Sequence, residues 1–114
     1  MRATLGVGNP AVLLEDLCFD AQQAAEKALK GLLAHRGVTF PRTHAIADLL
    51  TRLEDSGVRL TETIRHSSGL TQYAVETRYP GNPEEVTPEE HAEAVALAEA
   101  VMRWVEGLLS AEPD

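Results

Sequence analysis

The 114 residues of this chain predict an all-α fold, a compact antiparallel four-helix bundle, and three observations carry that prediction. Apolar residues make up 44% of the chain but aromatic ones only 4%, and alanine and leucine dominate. This composition suits close helix packing, not a β-sandwich, which favours β-branched and aromatic side chains. Apolar positions recur every three or four residues in four separate stretches. Glycine and proline punctuate the chain between those stretches.

The first stretch opens after Gly6, Gly8 and Asn9, with Pro10 tolerated in a first helical turn. Leu14, Leu17, Cys18, Ala21, Ala25, Ala28, Leu29 and Leu32 then follow at helical spacing, and Arg36-Gly37 closes the helix with a glycine suited to a left-handed cap. A helix from about 10 to 36 spans roughly 40 Å at about 1.5 Å per residue, long enough to act as the spine of the fold. Val38 to Arg42 reads as a short linker, because Pro41 biases Phe40 toward extended geometry. Thr43 is expected to cap a second helix, about 43–55, with Ile46, Leu49, Leu50 and Leu53 inward. Ser56-Gly57 ends it. Thr61 caps a third, about 61–77, burying Ile64, Leu70, Tyr73 and Ala74, until Tyr79-Pro80-Gly81-Asn82-Pro83 breaks the chain. Thr87-Pro88-Glu89-Glu90 is a capping box with proline in the first helical position. It opens a last helix, about 87–109, with Ala94, Val95, Ala98, Val101, Met102, Val105 and Leu108 inward. At this length, 1–114 is expected to form one domain around a single core.

Composition also bounds function. No apolar run reaches the length of a membrane span, and the N-terminus lacks the apolar core of a signal peptide. A lone Cys18 excludes an intrachain disulfide and suits a reducing compartment, so a cytoplasmic protein is expected. The formal net charge of −8 argues against a broad electrostatic grip on nucleic acid. That average conceals a division. Lys27, Lys30, Arg36 and Arg42 occupy an acid-free run from 27 to 44, whereas Glu84, Glu85, Glu89, Glu90, Glu93 and Glu99 occupy a run without Lys or Arg. The division is either two solvated faces or one patch that receives an anion.

Chemistry-bearing residues fall in two places. In the first helix Gln22, Glu26 and Lys30 follow one another at four-residue spacing, with Gln23 and Lys27 on the neighbouring row. Such a row is an ordinary solvated face, or it is a device in which Glu26 orients Lys30 toward an anionic ligand while Phe19 offers an apolar wall. Arg78 and Tyr79 stand where the third helix runs out. Arg78 either satisfies the last carbonyls of that helix or holds phosphate in a bidentate grip, with Tyr79 placed to stack on a base. His44, two residues after Arg42, is either a structural hydrogen-bonder or an imidazole able to act as a base. His35, His44, His66 and His91 lack metal-site spacing, and there is no glycine-rich phosphate loop, so neither a metal nor a cofactor is expected. Cys18 on the apolar stripe is expected in the core.

Leu17–Lys30 (LCFDAQQAAEKALK), Phe40–Leu50 (FPRTHAIADLL) and Tyr73–Pro80 (YAVETRYP) resemble, in that order, the signature segments of the HEPN family, and the Glu90–Val105 helix is similar too. The resemblance covers about Leu14 to Leu109. It implies a helical module associated with nucleotides and RNA, commonly a homodimer, often partnered with a minimal nucleotidyltransferase in toxin–antitoxin-like or stress systems. It also implies a nucleotide- or RNA-phosphate-binding set of Arg78, Tyr79, Lys30, Lys27, Glu26 and Gln23. Catalytic HEPN ribonucleases carry an arginine and, four to six residues later, a histidine near the start of the last helix. Here Arg78 is followed only by the distant His91. Arg59 and His66 have the spacing but stand at the start of the third helix. Arg78 and His44 are therefore the catalytic candidates if the chain is a metal-independent endoribonuclease, and a binding module that is not an enzyme is the expectation. A dimerisation module without a ligand is the remaining alternative. Family members usually begin with a further amphipathic helix, which Met1–Asn9 is too short to form. Either the start is truncated or a partner covers the stripe of Leu13, Leu14, Leu17 and Ala21, and a homodimer is the expectation.

Overall fold

The computed structural model describes residues 10–74 and 86–111, and they form an all-α helical bundle. Helix α1 is Pro10–His35, α2 is Ile46–Asp55, α3 is Glu62–His66 continued by a 3-10 turn at Ser67–Tyr73, and α4 is Pro88–Ala111. Helices α1 and α4 are the two long elements and share the largest packed face, while α2, α3 and the 3-10 segment close the bundle around them.

Two of the helix ends are built alike. Gly37 adopts φ +73 and Gly57 φ +104, a left-handed conformation that glycine takes without a Cβ penalty. Gly37 N–H donates to Ala34 O at 3.0 Å and Val38 N–H to Leu33 O at 2.9 Å; Gly57 and Val58 repeat the pattern onto Glu54 and Leu53 at 3.0 and 3.1 Å. These are paired Schellman caps, and each satisfies carbonyls that a helix end would otherwise leave open.

The other ends differ from expectation in informative ways. Thr43 does not cap α2. The helix starts at Ile46 with Ala45 in the cap position and no side-chain cap. Thr43 Oγ1 instead accepts from Ala45 N–H at 2.9 Å, holding the approach to the helix, and Ile46 N–H donates to Thr71 Oγ1 at 2.9 Å. A residue distant in sequence thus satisfies a donor that a local cap was expected to meet. In α3 the expected capping by Thr61 is present, its Oγ1 accepting from Ile64 N–H at 3.2 Å. The α-helical run stops at His66, earlier than the expected 77, because the buried Ser67 hydroxyl turns back to Ile64 O and the Ser67-Ser68-Gly69 run tightens into 3-10 geometry. The final stretch of that expected helix, from 75 on, lies outside the described residues. Thr87 and Glu90 close the reciprocal capping box at the start of α4, with bonds of 2.9 and 3.1 Å.

The ten-residue linker 36–45 doubles back along α1. As a result α2 begins beside Gln22, which reaches His44 O at 3.4 Å, and ends beside Arg36, whose guanidinium reaches Ser56 O at 3.3 Å. Helix α2 therefore runs in the same sense as α1, a departure from the expected antiparallel arrangement that the ten-residue linker allows, since it is long enough to return along α1. The pairs Glu54–Arg65 and Ile46–Thr71 then bring α3 and its 3-10 extension back antiparallel to α2.

The core joins all of these elements: Cys18, Ala25, Leu29, Leu32 and Leu33 from α1, Ile46, Leu49 and Leu53 from α2, Ile64 and Leu70 from α3 and its extension, and Ala94, Ala98, Val101 and Val105 from α4. Burying a leucine or isoleucine side chain of this set contributes about 1.5–3 kcal/mol. Two residues expected to face inward do not: Leu17 is 38% exposed and Met102 42%. Leu13 is also exposed, Leu14 is partly covered by the core, and Ala21 is buried. Among the described residues no helix is long and apolar enough to cross a membrane.

Candidate functional site

The polar row of α1 is not a solvated face. Gln22 and Glu26 are buried, at 0% and 5% exposure, amid the leucines and alanines of the core. Three features of the sequence produce this. Gln22 lies four residues after buried Cys18, so it falls within the apolar stripe itself. Ala21 and Ala25 beside it keep neighbouring side chains short. The returning linker then brings His44 and the start of α2 over the row.

Buried polar groups at this depth require partners, and they have them. Gln22 Nε2 donates to Glu26 Oε1 at 2.8 Å and to His44 O at 3.4 Å, while its Oε1 accepts from Gln23 Nε2 at 2.8 Å. Lys30 Nζ donates to Glu26 Oε2 at 2.7 Å. His44 Nδ1 lies 3.0 Å from Glu26 Oε1. Among the described residues, every buried side-chain nitrogen and oxygen is hydrogen-bonded.

The electrostatics of Glu26 follow from this geometry. Burial pushes its pKa up, but hydrogen bonds from Lys30, His44 and Gln22, together with the Lys30 charge, outweigh burial and hold the carboxyl below its ordinary value. An ionised carboxylate only accepts, so His44 Nδ1 is the donor. Glu26 thus fixes the tautomer of His44 and leaves Nε2 as the outward nitrogen. Arg42, which the sequence placed beside His44, is exposed; the group facing the imidazole is Glu26. The His44 side chain is 67% exposed and that of Lys30 27%. A single internal carboxylate therefore presents two nitrogen groups at the surface, one from each of its oxygens.

The other candidates separate from this centre. Lys27 is exposed on the adjacent row, and Phe19 is half-buried. Arg78 and Tyr79 lie outside the described residues. His66 is exposed, with Nε2 4.0 Å from Glu62. Cys18 is buried in the core. Gln22 is the member of this network that sequence reasoning left without a role, and its signal was the four-residue step from Cys18. The burial of Glu26 had a second signal: a linker long enough to return along α1.

No curated protein and no solved structure matches the chain significantly. A family model does, the HEPN domain, over residues 11–108. That span takes in the Gln22–Glu26–Lys30 row, the returning linker with His44, and all four helices. The chain therefore belongs to the HEPN domain family, whose modules are associated with nucleotides and RNA.

Proposed function

We propose that this HEPN module binds the phosphate of a nucleotide or of RNA at the edge formed by Lys30 and His44, with Gln23 and Lys27 of the same helix contributing and with Arg78 and Tyr79, which lie outside the described residues, taking the gripping and stacking roles the sequence suggests for them. The observation that carries the reading is the buried Glu26 carboxylate holding one surface-reaching nitrogen group on each oxygen, Lys30 on one and His44 on the other. A surface Glu–Lys pair needs no such burial and contributes only about 0.3–0.5 kcal/mol. Here the fold bears the desolvation of a carboxylate and fixes in place the outward Lys30 ammonium and an imidazole that donates from Nε2 when it carries its second proton, an arrangement suited to an anion. Glu26 is a positioning residue, and Lys30 and His44 make the contact.

The module acts as a homodimer with a minimal nucleotidyltransferase in a toxin–antitoxin-like or stress system, in the cytoplasm. The exposed Leu13, Leu17, Met102 and Leu109 support association; sedimentation showing a monomer at micromolar concentration would remove that part. For the phosphate site the test is calorimetric titration with ATP and with a short RNA. Lys30→Ala and Arg78→Ala are each expected to weaken binding about tenfold, in line with the loss of one charge-assisted hydrogen bond, with helicity unchanged. Unaltered affinity in both variants would dismiss the site.

A second reading, a metal-independent endoribonuclease, draws on the outward Nε2 of His44. Cleavage through a 2′-hydroxyl needs a base and an anion stabiliser at one phosphate, roles that fall to His44 and Arg78. Cleavage of structured RNA in excess chelator that disappears in Arg78→Ala is the result that would favour it.

A further inference from the structure

We propose that His44 is a phosphoryl acceptor, taking a phosphoryl group covalently on Nε2 from a phosphorylated residue of a donor protein. The proposal goes beyond reversible phosphate binding but rests on the same reading, that the Lys30–His44 edge receives phosphate.

A histidine that accepts a phosphoryl group must meet three conditions. Its attacking nitrogen must be unprotonated and outward. The positive charge that forms on the ring must be neutralised. The ring must also be reachable by another protein's active site. Glu26 meets the first two. By accepting from Nδ1 at 3.0 Å, it keeps the proton on that nitrogen and leaves the lone pair on Nε2. When Nε2 attacks phosphorus, a P–N bond forms, the bond from phosphorus to the donor's leaving atom breaks, and that atom keeps the electron pair. The Nδ1 proton stays between ring and carboxylate, and Glu26 balances the imidazolium charge. The carboxylate is well placed to do so because it is buried and pinned by Gln22 and Lys30 on its own two oxygens. Lys30, on the far oxygen, supplies positive charge to the incoming phosphoryl oxygens, and the N-terminal end of α2, two residues on, adds the favourable pole of a helix dipole.

The third condition is met by exposure. With its side chain 67% exposed, His44 stands out from the surface, where a second protein can enclose it.

The molecule contains its own control. The side chain of His66 is as exposed as that of His44, 69% against 67%, but its Nε2, not its Nδ1, faces a carboxylate, and at 4.0 Å. Exposure alone predicts equal reactivity for the two; the Glu26 arrangement predicts a difference. The experiment is incubation of the full chain with potassium phosphoramidate, a small phosphoryl donor that releases ammonia, followed by site mapping of the acid-labile, base-stable phosphoryl group by mass spectrometry. His44 is expected to react about tenfold faster than His66 or His91, and Glu26→Gln to erase that lead while the circular dichroism spectrum is retained. Equal labelling of the exposed histidines of the wild type, or none at His44, would overturn the proposal. Nucleotide titration of the same preparation reports on reversible binding separately: His44 labelled in a chain that binds no nucleotide would uphold the acceptor and retire the binding reading.

Discussion

Glu26 and Glu62 each stand four residues before a basic side chain, and the fold treats them in opposite ways. Glu62 and His66 occupy the exposed side of α3, 4.0 Å apart, with side chains 86% and 69% exposed. Glu26 and Lys30 are 2.7 Å apart with side chains 6% and 27% exposed, and the carboxylate carries two further hydrogen bonds. The spacing is identical. What separates the pairs is the returning linker, which covers Glu26 and leaves Glu62 in water. A helical charge pair becomes a candidate site when the chain closes over it and supplies partners from another element, because only then is its geometry fixed by packing.

Removing each carboxylate should widen that contrast most. Glu26→Ala leaves the buried Gln22 amide short of an acceptor and takes the fixed counter-charge from Lys30 and the acceptor from His44 Nδ1. The expected loss is about 2–3 kcal/mol in urea unfolding, toward the lower end for a buried charge pair because Lys30 can still reach solvent. Glu62→Ala is expected to unfold with wild type. A Glu26→Ala midpoint indistinguishable from that of Glu62→Ala would mean that the buried network adds nothing to the fold.

Acid should weaken the Glu26 network in a defined pH range. The Glu26 carboxyl has a pKa below its ordinary value in the folded chain, so its ionised form is favoured by folding. The resulting stability is fully present above the ordinary carboxylate range and is lost as pH falls through the lower folded pKa. Glu26→Gln should therefore flatten part of the decline in stability on the acid side of the ordinary carboxylate range. Parallel curves for wild type and Glu26→Gln across that range would contradict the assignment.

Much of this arrangement is readable from local rules and some is not. The glycines that end α1 and α2, and the Thr87–Glu90 capping box, are properties of a few consecutive residues, and the sequence displays them directly. The Glu26–Lys30 contact likewise follows from helical spacing. The misplaced start of α2 has a different origin. Thr43 looked like a cap because nothing local contradicts it, but the Ile46 N–H is met by Thr71, which tertiary folding brings near. The burial of Gln22 and Glu26 is also tertiary. It depends on a linker that returns along α1 when it might have continued past the end of the helix, and composition reads only the polarity of the row. Leu17 and Met102 erred in the opposite direction, since periodicity assigns them to an inner face without specifying which neighbours are long enough to cover them.

The smallest effect on stability is expected from the two imidazoles, and here the comparison shifts from folding to chemistry. His44→Gln removes a ring that is mostly exposed. The backbone carbonyl of residue 44 that accepts from Gln22 remains, and Lys30 still holds the other oxygen of Glu26. The cost in urea unfolding should stay below about 1 kcal/mol, close to that of His66→Gln. The two variants should part company only toward phosphate. In calorimetric titration with ATP, His44→Gln is expected to lose about tenfold in affinity, the charge-assisted hydrogen bond that the doubly protonated His44 ring donates from Nε2, and His66→Gln none. Equal affinities for the pair would place the phosphate contact elsewhere on the chain and reduce the Glu26 network to a structural brace between α1 and the start of α2.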